Sequence, residues 1–275
     1  MDITVRRGAL ADGSTIPSVH LGDPDRVRID LSKADFVDPM GLVTVAVLAE
    51  SSKKQGLPVS FRNPSNPDTN RYLARMHLGQ ALTDLGIFCS FPPVTERDTG
   101  DRIMELQRFS RDEDDDKLAS QVFRILEWDD PDDAKTLFRC ISEAIDNVCE
   151  HSGSDGGWAA LQQYKDKRGA RRVAFAVGDS GMGLRASLTR AIEVSSDQEA
   201  ISRSVERGVS GTGDSTRGEG LADLIARVRA RGGHVRLWSG QASALTGKNG
   251  GLLHTRNHPF AFEGTMIYAT LNYYR

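Results

Sequence analysis

The chain has 275 residues, 39% hydrophobic and 27% charged, the composition of an ordinary soluble globular protein, and at this length two hydrophobic cores are expected, one in each half. Acidic and basic residues nearly cancel at a net charge of -3, so bulk charge suggests no nucleic-acid partner. Cys89, Cys140 and Cys149 are scattered without a CxxC pair, which excludes a disulfide framework or a zinc site and fits reduced thiols in the core. The first residues contain no apolar signal core, and no run approaches the ~18–20 apolar residues of a membrane span. A soluble, cytoplasmic protein is expected.

The first part alternates short strands and helices. Val27 to Leu31 reads as a strand, Pro39 to Lys54 as a helix with proline in its first turn, and Pro58 to Arg62 as a second strand. Asn63, Pro64, Asn66 and Pro67 mark a turn, and Thr69 to Leu78 carries Leu73, Met76 and Leu78 at helical spacing. A mixed sheet with helices follows. The pattern ends near Phe91, and the polar, proline-rich stretch Pro92 to Asp101 reads as a linker between segments 1–95 and 101–275. The acidic run Arg111 to Lys117 reads as a solvated helix start, because apolar helical spacing resumes at Leu118.

In the second part, Ala134 to His151 is predicted as an amphipathic helix with Leu137, Phe138, Ile141, Ala144, Ile145 and Val148 on one face. Arg171 to Val177 is a strand with apolar residues on both faces, so both faces should be covered. Leu221 to Val228 is a helix ending at the Gly232-Gly233 cap, followed by strands at His234 to Trp238, Leu252 to Thr255 and Thr265 to Leu271.

Three stretches carry candidate chemistry. Glu143 and Asn147, one helical turn apart, project side by side on the flank of their helix. A carboxylate there can polarise a water, and a carboxamide oxygen can hold a hard cation such as Mg²⁺; a plain solvated face is the alternative. Asp179-Ser180-Gly181-Met182-Gly183 follows a buried strand, where glycines permit a tight turn and close ligand approach, and where a carboxylate can accept from an exocyclic amine such as that of adenine. The alternative is a simple strand-to-helix turn. Gly208 to Gly220 is glycine- and hydroxyl-rich and opens a helix, a combination suited to phosphate oxygens or, without a ligand, to a surface loop. Arg227, Arg229, Arg231 and Arg236 gather around the last helix and strand, where they complement the helix dipole or meet an acidic partner.

Taken in order, Glu143-xxx-Asn147 on a helix, Asp179-x-Gly181-x-Gly183 after a strand, Gly218-x-Gly220 opening a helix and Gly264-Thr265 starting the last strand resemble the N box, the two glycine boxes and the closing motif of the GHKL superfamily. That superfamily unites gyrase, heat-shock chaperone, histidine-kinase and MutL ATPases, and SEAIDNVCEH is most similar to its bacterial serine-kinase and anti-sigma-factor branch. The resemblance spans residues 101–275 and implies an α/β sandwich, the Bergerat fold, with ATP beneath a lid. It also implies that Asn147 binds Mg²⁺, that Asp179 contacts adenine, that Gly218 with Gly220 approaches the phosphates, that Gly181, Gly183 and Thr265 belong to the cofactor-binding set, and that Glu143 is the general base. A helix-end His151 reads as structural.

Residues 1–95 resemble STAS domains through Val27 to Leu42 (VRIDLSKADFVDPMGL). Phosphorylated STAS domains carry hydroxyl residues before the glycine; here Asp38-Pro39-Met40-Gly41 has none, so a docking or regulatory module is expected rather than a phosphoswitch. The expectation for the whole chain is an ATP-Mg²⁺-binding regulatory protein in which nucleotide occupancy controls partner binding, with a protein partner at the STAS-like segment and a possible homodimer. A serine/threonine kinase of the anti-sigma-factor type, a dimerising ATPase and a scaffold that binds no nucleotide are the alternatives.

Overall fold

In a computed structural model, which describes residues 2–4, 18–20, 25–94, 103–110, 121, 131–165, 171–206, 220–246 and 254–273, the chain is a mixed α/β protein with two sheets. The smaller has the order β2 (Ser18–His20), β1 (Asp2–Thr4), β3 (Val27–Asp30), β4 (Val59–Arg62). Its β1–β3 and β3–β4 pairs are parallel, and only β1–β2 is antiparallel. The larger is antiparallel throughout, in the order β5 (Ile103–Ser110), β6 (Gly156–Lys165), β7 (Arg171–Gly178), β9 (His254–Tyr273), β8 (His234–Leu245). No described helix is long and apolar enough to cross a membrane.

Helix α1 (Pro39–Lys54) begins where Asp38 caps it, the carboxylate accepting from the Gly41 N–H at 3.0 Å with Pro39 at the first position, and ends with Lys53 and Lys54 at its negative pole. Every residue from Pro39 to Ser52 is buried. A helix apolar on all sides needs neighbours on all sides, and α1 has them: β4 and α3 (Leu78–Asp84) pack on it from its own segment, while β6, β7 and β9 of the large sheet pack on it from the other. The sheet is built for this approach. Ala160, Ala174 and Ala176 join the cluster around α1, and a Cβ at Gly178 would lie 3.0 Å from Cγ1 of Val43.

Helices α4 (Pro131–His151) and α7 (Gly220–Ala230) cover the opposite face. Leu137, Ile141 and Val148 of α4 and Leu224 of α7 close there over Val173, Phe175 and Val177 of β7. The two faces of β7 are therefore both buried, as its composition predicts. Phe138, placed on the apolar face by spacing, is only half-buried and lies outside that cluster. The core does not divide between the halves of the chain: the cluster around α1 takes Trp158, Trp238, Phe262 and Tyr268 from the large sheet.

Other departures have local causes. The helical run expected from Thr69 to Leu78 breaks into α2 (Pro67–Arg75) and α3, because His77 takes a left-handed conformation, φ 59°. Of the strand expected from Leu252 to Thr255, His254 and Thr255 are described and open β9, which also carries the expected Thr265 to Leu271 and runs through Gly264 beside irregular pairing at Ser239–Ala242. Strands β5 and β6 were not expected, nor were the short helices α5 (Gly183–Leu188) and α6 (Asp197–Ser204). The helix end at Gly232-Gly233 is as expected, with Gly232 at φ 62° and its neighbour's N–H bonded to the Val228 carbonyl. Cys140 and Cys149 are buried, and burial pushes the Cys140 thiol up to about 12; Cys89 is only half-buried. The acidic run at 111–117 and the linker residues 95–101 lie outside the described residues.

Candidate functional site

Helix α4 presents Glu143 and Asn147 half-buried on one flank, with Nδ2 of Asn147 donating to the Glu143 carbonyl at 2.5 Å. The first residue of α7 reaches the same flank. A Cβ at Gly220 would stand 2.1 Å from Oε2 of Glu143 and 3.9 Å from Nδ2 of Asn147, so the carboxylate lies against the helix start, where the orphan N–H groups are. Burial first, then the charges of Asp146 and Asp223, push the Glu143 carboxyl above its usual range, while Arg227 opposes this. Arg227 itself donates from Nε to Asp223 at 2.6 Å. A carboxylate of raised basicity is a better proton acceptor than an ordinary one.

The second group forms where β7 ends. Asp179 is 1% exposed, and its N–H donates to the Thr265 carbonyl at 3.0 Å. Its Oδ1 accepts from the Gly181 N–H at 2.7 Å and its Oδ2 from the Thr265 N–H at 3.2 Å. Each oxygen keeps one further lone pair for a ligand. Two glycines make this closeness possible: a Cβ at Gly181 would meet the Ser152 carbonyl at 2.2 Å, and one at Gly264, φ 91°, would meet the Asp179 carbonyl at 1.9 Å. Ser239 fastens the rest, donating to the Gly264 carbonyl and accepting from the Leu184 N–H, both at 2.8 Å, beside Gly183 at the start of α5.

One bond joins the two groups. The Met182 N–H donates to the Ser152 carbonyl at 2.8 Å, and Ser152 directly follows α4. Asn147 lies five residues earlier, about 7.5 Å along a helix axis. The structure thus brings Glu143, Asn147 and Gly220 together, and Asp179, Gly181, Gly183 and Thr265 together, on adjoining ends of the same elements. Gly218 lies outside the described residues, as do 207–217 and 219. The arginines do not form one surface cluster, since Arg236 is buried.

Sequence reasoning missed four side chains behind the turn, Glu50, Lys54, Trp158 and Arg108. Glu50, 5% exposed in α1, accepts from Ser180 Oγ at 2.8 Å and from Trp158 Nε1 and Arg108 Nε, each at 3.3 Å, and Lys54 Nζ donates to Ser180 Oγ at 2.8 Å. The available signal was a lone carboxylate at the end of an apolar helical run, but its partners lie in distant segments.

Burial, with the Glu50 charge adding to it, drives the Asp179 carboxyl up to about 7, against the lowering effect of the Gly181 and Thr265 N–H groups and Lys54. The folded chain therefore holds a proton there that the unfolded chain has released above its ordinary value near 3.8. Stability should fall as pH rises from about 4 to about 7 and then level, by up to roughly 4 kcal/mol from this group. Urea unfolding from pH 4.5 to 8 should show a steeper decline in wild type than in Asp179→Asn, which cannot ionise. Parallel profiles would remove Asp179 as the cause.

Comparison of the sequence with protein-family profiles and with curated proteins gave no match.

Proposed function

We propose that the chain binds ATP with Mg²⁺ between α4, the Asp179 turn and the start of α7, and that occupancy of this site controls docking of a protein partner. The observation that carries this reading is the juxtaposition itself: a buried carboxylate at a strand end, held by Gly181 and Thr265, one helix end away from a carboxylate–carboxamide pair facing a helix N-terminus. It supports a GHKL-type assignment for residues 101–275, with a Bergerat-like sandwich, and a STAS-like assignment for residues 1–95.

The residues fit such a ligand. Asp179 has lone pairs left for the exocyclic amine of adenine, and Thr265 stands beside it. Asn147 spends its Nδ2 on the Glu143 carbonyl, which leaves its Oδ1 to face a cation. Among the described residues no group of three or more His, Cys, Asp or Glu side chains is placed to cage a metal; Asn147 is the residue that would hold Mg²⁺, through its carboxamide oxygen. Gly220 lets the Glu143 carboxylate lie against the start of α7, because any side chain there would displace it. Bound ATP-Mg²⁺ supplies an electrophilic γ-phosphorus whose charge is partly screened. Glu143, held basic by burial, is the group that takes a proton from an attacking hydroxyl or water.

The same basic Glu143 favours turnover as a second reading, either transfer to a serine or threonine of a partner or hydrolysis that drives dimer opening. At the STAS-like segment, Pro39 and Met40 are buried and bear no hydroxyl, which supports docking rather than a phosphoswitch there. The lid expected at 208–220 lies, apart from Gly220, outside the described residues.

Calorimetric titration of ATP-Mg²⁺ tests the site. Wild type should bind, Asp179→Asn should lose affinity by tenfold or more, since its amide turns a donor toward an N–H, and Asn147→Ala should lose Mg²⁺ dependence. Phosphate release, or label transfer to a co-purified protein, then separates turnover from a switch. Absence of binding by wild type would leave a scaffold.

A further inference from the structure

The last turn of α1 touches both stretches of backbone that hold Asp179. Lys54 Nζ donates to Ser180 Oγ at 2.8 Å, and Ser180 Oγ donates in turn to Oε2 of Glu50 at 2.8 Å. Ser51 Oγ donates to Oε2 of Glu263 at 3.1 Å, one residue before Gly264. Ser180 follows Asp179 directly, and Thr265, next to Gly264, supplies both the carbonyl and the N–H that pair with Asp179. The Glu50 carboxylate is itself anchored by Trp158 from β6 and Arg108 from β5. A buried carboxylate with three donors is costly to disturb, because losing one partner leaves charge unpaired.

We propose that Lys54 and Glu50 of α1 are positioning residues for the nucleotide site, holding the Asp179 turn from behind so that ligand affinity depends on how α1 is seated. The inference rests on the nucleotide reading above. Its consequence is a physical link between the N-terminal segment and the nucleotide: a partner that shifts α1 displaces Ser180, and nucleotide binding at Asp179 favours one seating of α1, by equal free energies in the two directions. The two residues act on the Asp179 charge with opposite sign, Lys54 favouring the carboxylate and Glu50 opposing it, and Arg108 faces Glu50 from β5.

That opposition makes the test specific. ATP-Mg²⁺ affinity is measured by calorimetry between pH 6 and 8.5 for wild type, Lys54→Met, Lys54→Arg and Glu50→Gln, with melting temperature on each sample; the ligand's own titration is common to all four. Lys54→Met should weaken binding at pH 7 on the order of fivefold or more and move the midpoint of its pH dependence upward. Glu50→Gln should move that midpoint downward, and Lys54→Arg should restore wild-type affinity. Variants that bind like wild type, or that shift the midpoint in one common direction together with a loss of melting temperature, would overturn the positioning role while leaving the nucleotide reading intact. Absence of binding by wild type would overturn both.

Discussion

Residues 101–275 produced without the N-terminal segment should be poorly soluble, or loosely packed with bound hydrophobic dye and little near-ultraviolet circular dichroism. The large sheet has two apolar faces, and among the described residues α4 and α7 cover one while α1 packs on the other. Removing the N-terminal segment would strip one side from the cluster around α1, in which Trp158, Trp238, Phe260, Phe262, Met266 and Tyr268 are buried. At about 1.5–3 kcal/mol for each large side chain, the loss is on the order of 10 kcal/mol, as large as the whole stability of a typical domain. It would also open a broad apolar patch, which drives association. Supplying residues 1–95 in trans, or restoring the full chain, should return solubility. A soluble fragment that unfolds cooperatively would show that the sheet tolerates an open face and that the division at residues 95–101 separates autonomous units.

Gly264→Ala should be among the most damaging single substitutions. The residue sits at φ 91°, and the added Cβ would lie 1.9 Å from the Asp179 carbonyl oxygen. That oxygen is main chain at the end of a central strand and cannot turn aside as a side-chain tip would. A loss of about 3 kcal/mol or more is expected, which at about 2–4 °C per kcal/mol lowers the melting temperature by roughly 6–12 °C. Gly56→Ala is the control. It also lies at positive φ, 73°, but nothing stands within 4 Å of the added atom, so only the left-handed backbone strain of about 1–2 kcal/mol remains. Equal losses in the two variants would mean that strain alone acts and that the Asp179–Thr265 junction yields. In the nucleotide reading, Gly264→Ala should also abolish ligand binding while Gly56→Ala retains it.

What the sequence by itself determined was local and periodic. Spacing in α4 put Glu143 beside Asn147, and the alternation in β7 showed that both of its faces needed cover. The order Asp-x-Gly-x-Gly after a strand marked the Asp179 turn, and Gly232-Gly233 marked the end of α7. Each follows from geometry repeated every two or 3.6 residues, which a reader of the chain can count. Tertiary structure decided which faces meet. The run LVTVAVLAE read as one more helix of the first segment, yet it lies between two sheets and carries Glu50 into the interior, where Ser180, Trp158 and Arg108 receive it. Likewise, Gly220 stands against Glu143, and Thr265 against Asp179, across 77 and 86 positions of chain. Such pairings are set by packing between elements, since a periodic pattern states that a face is apolar and leaves open what will bury it.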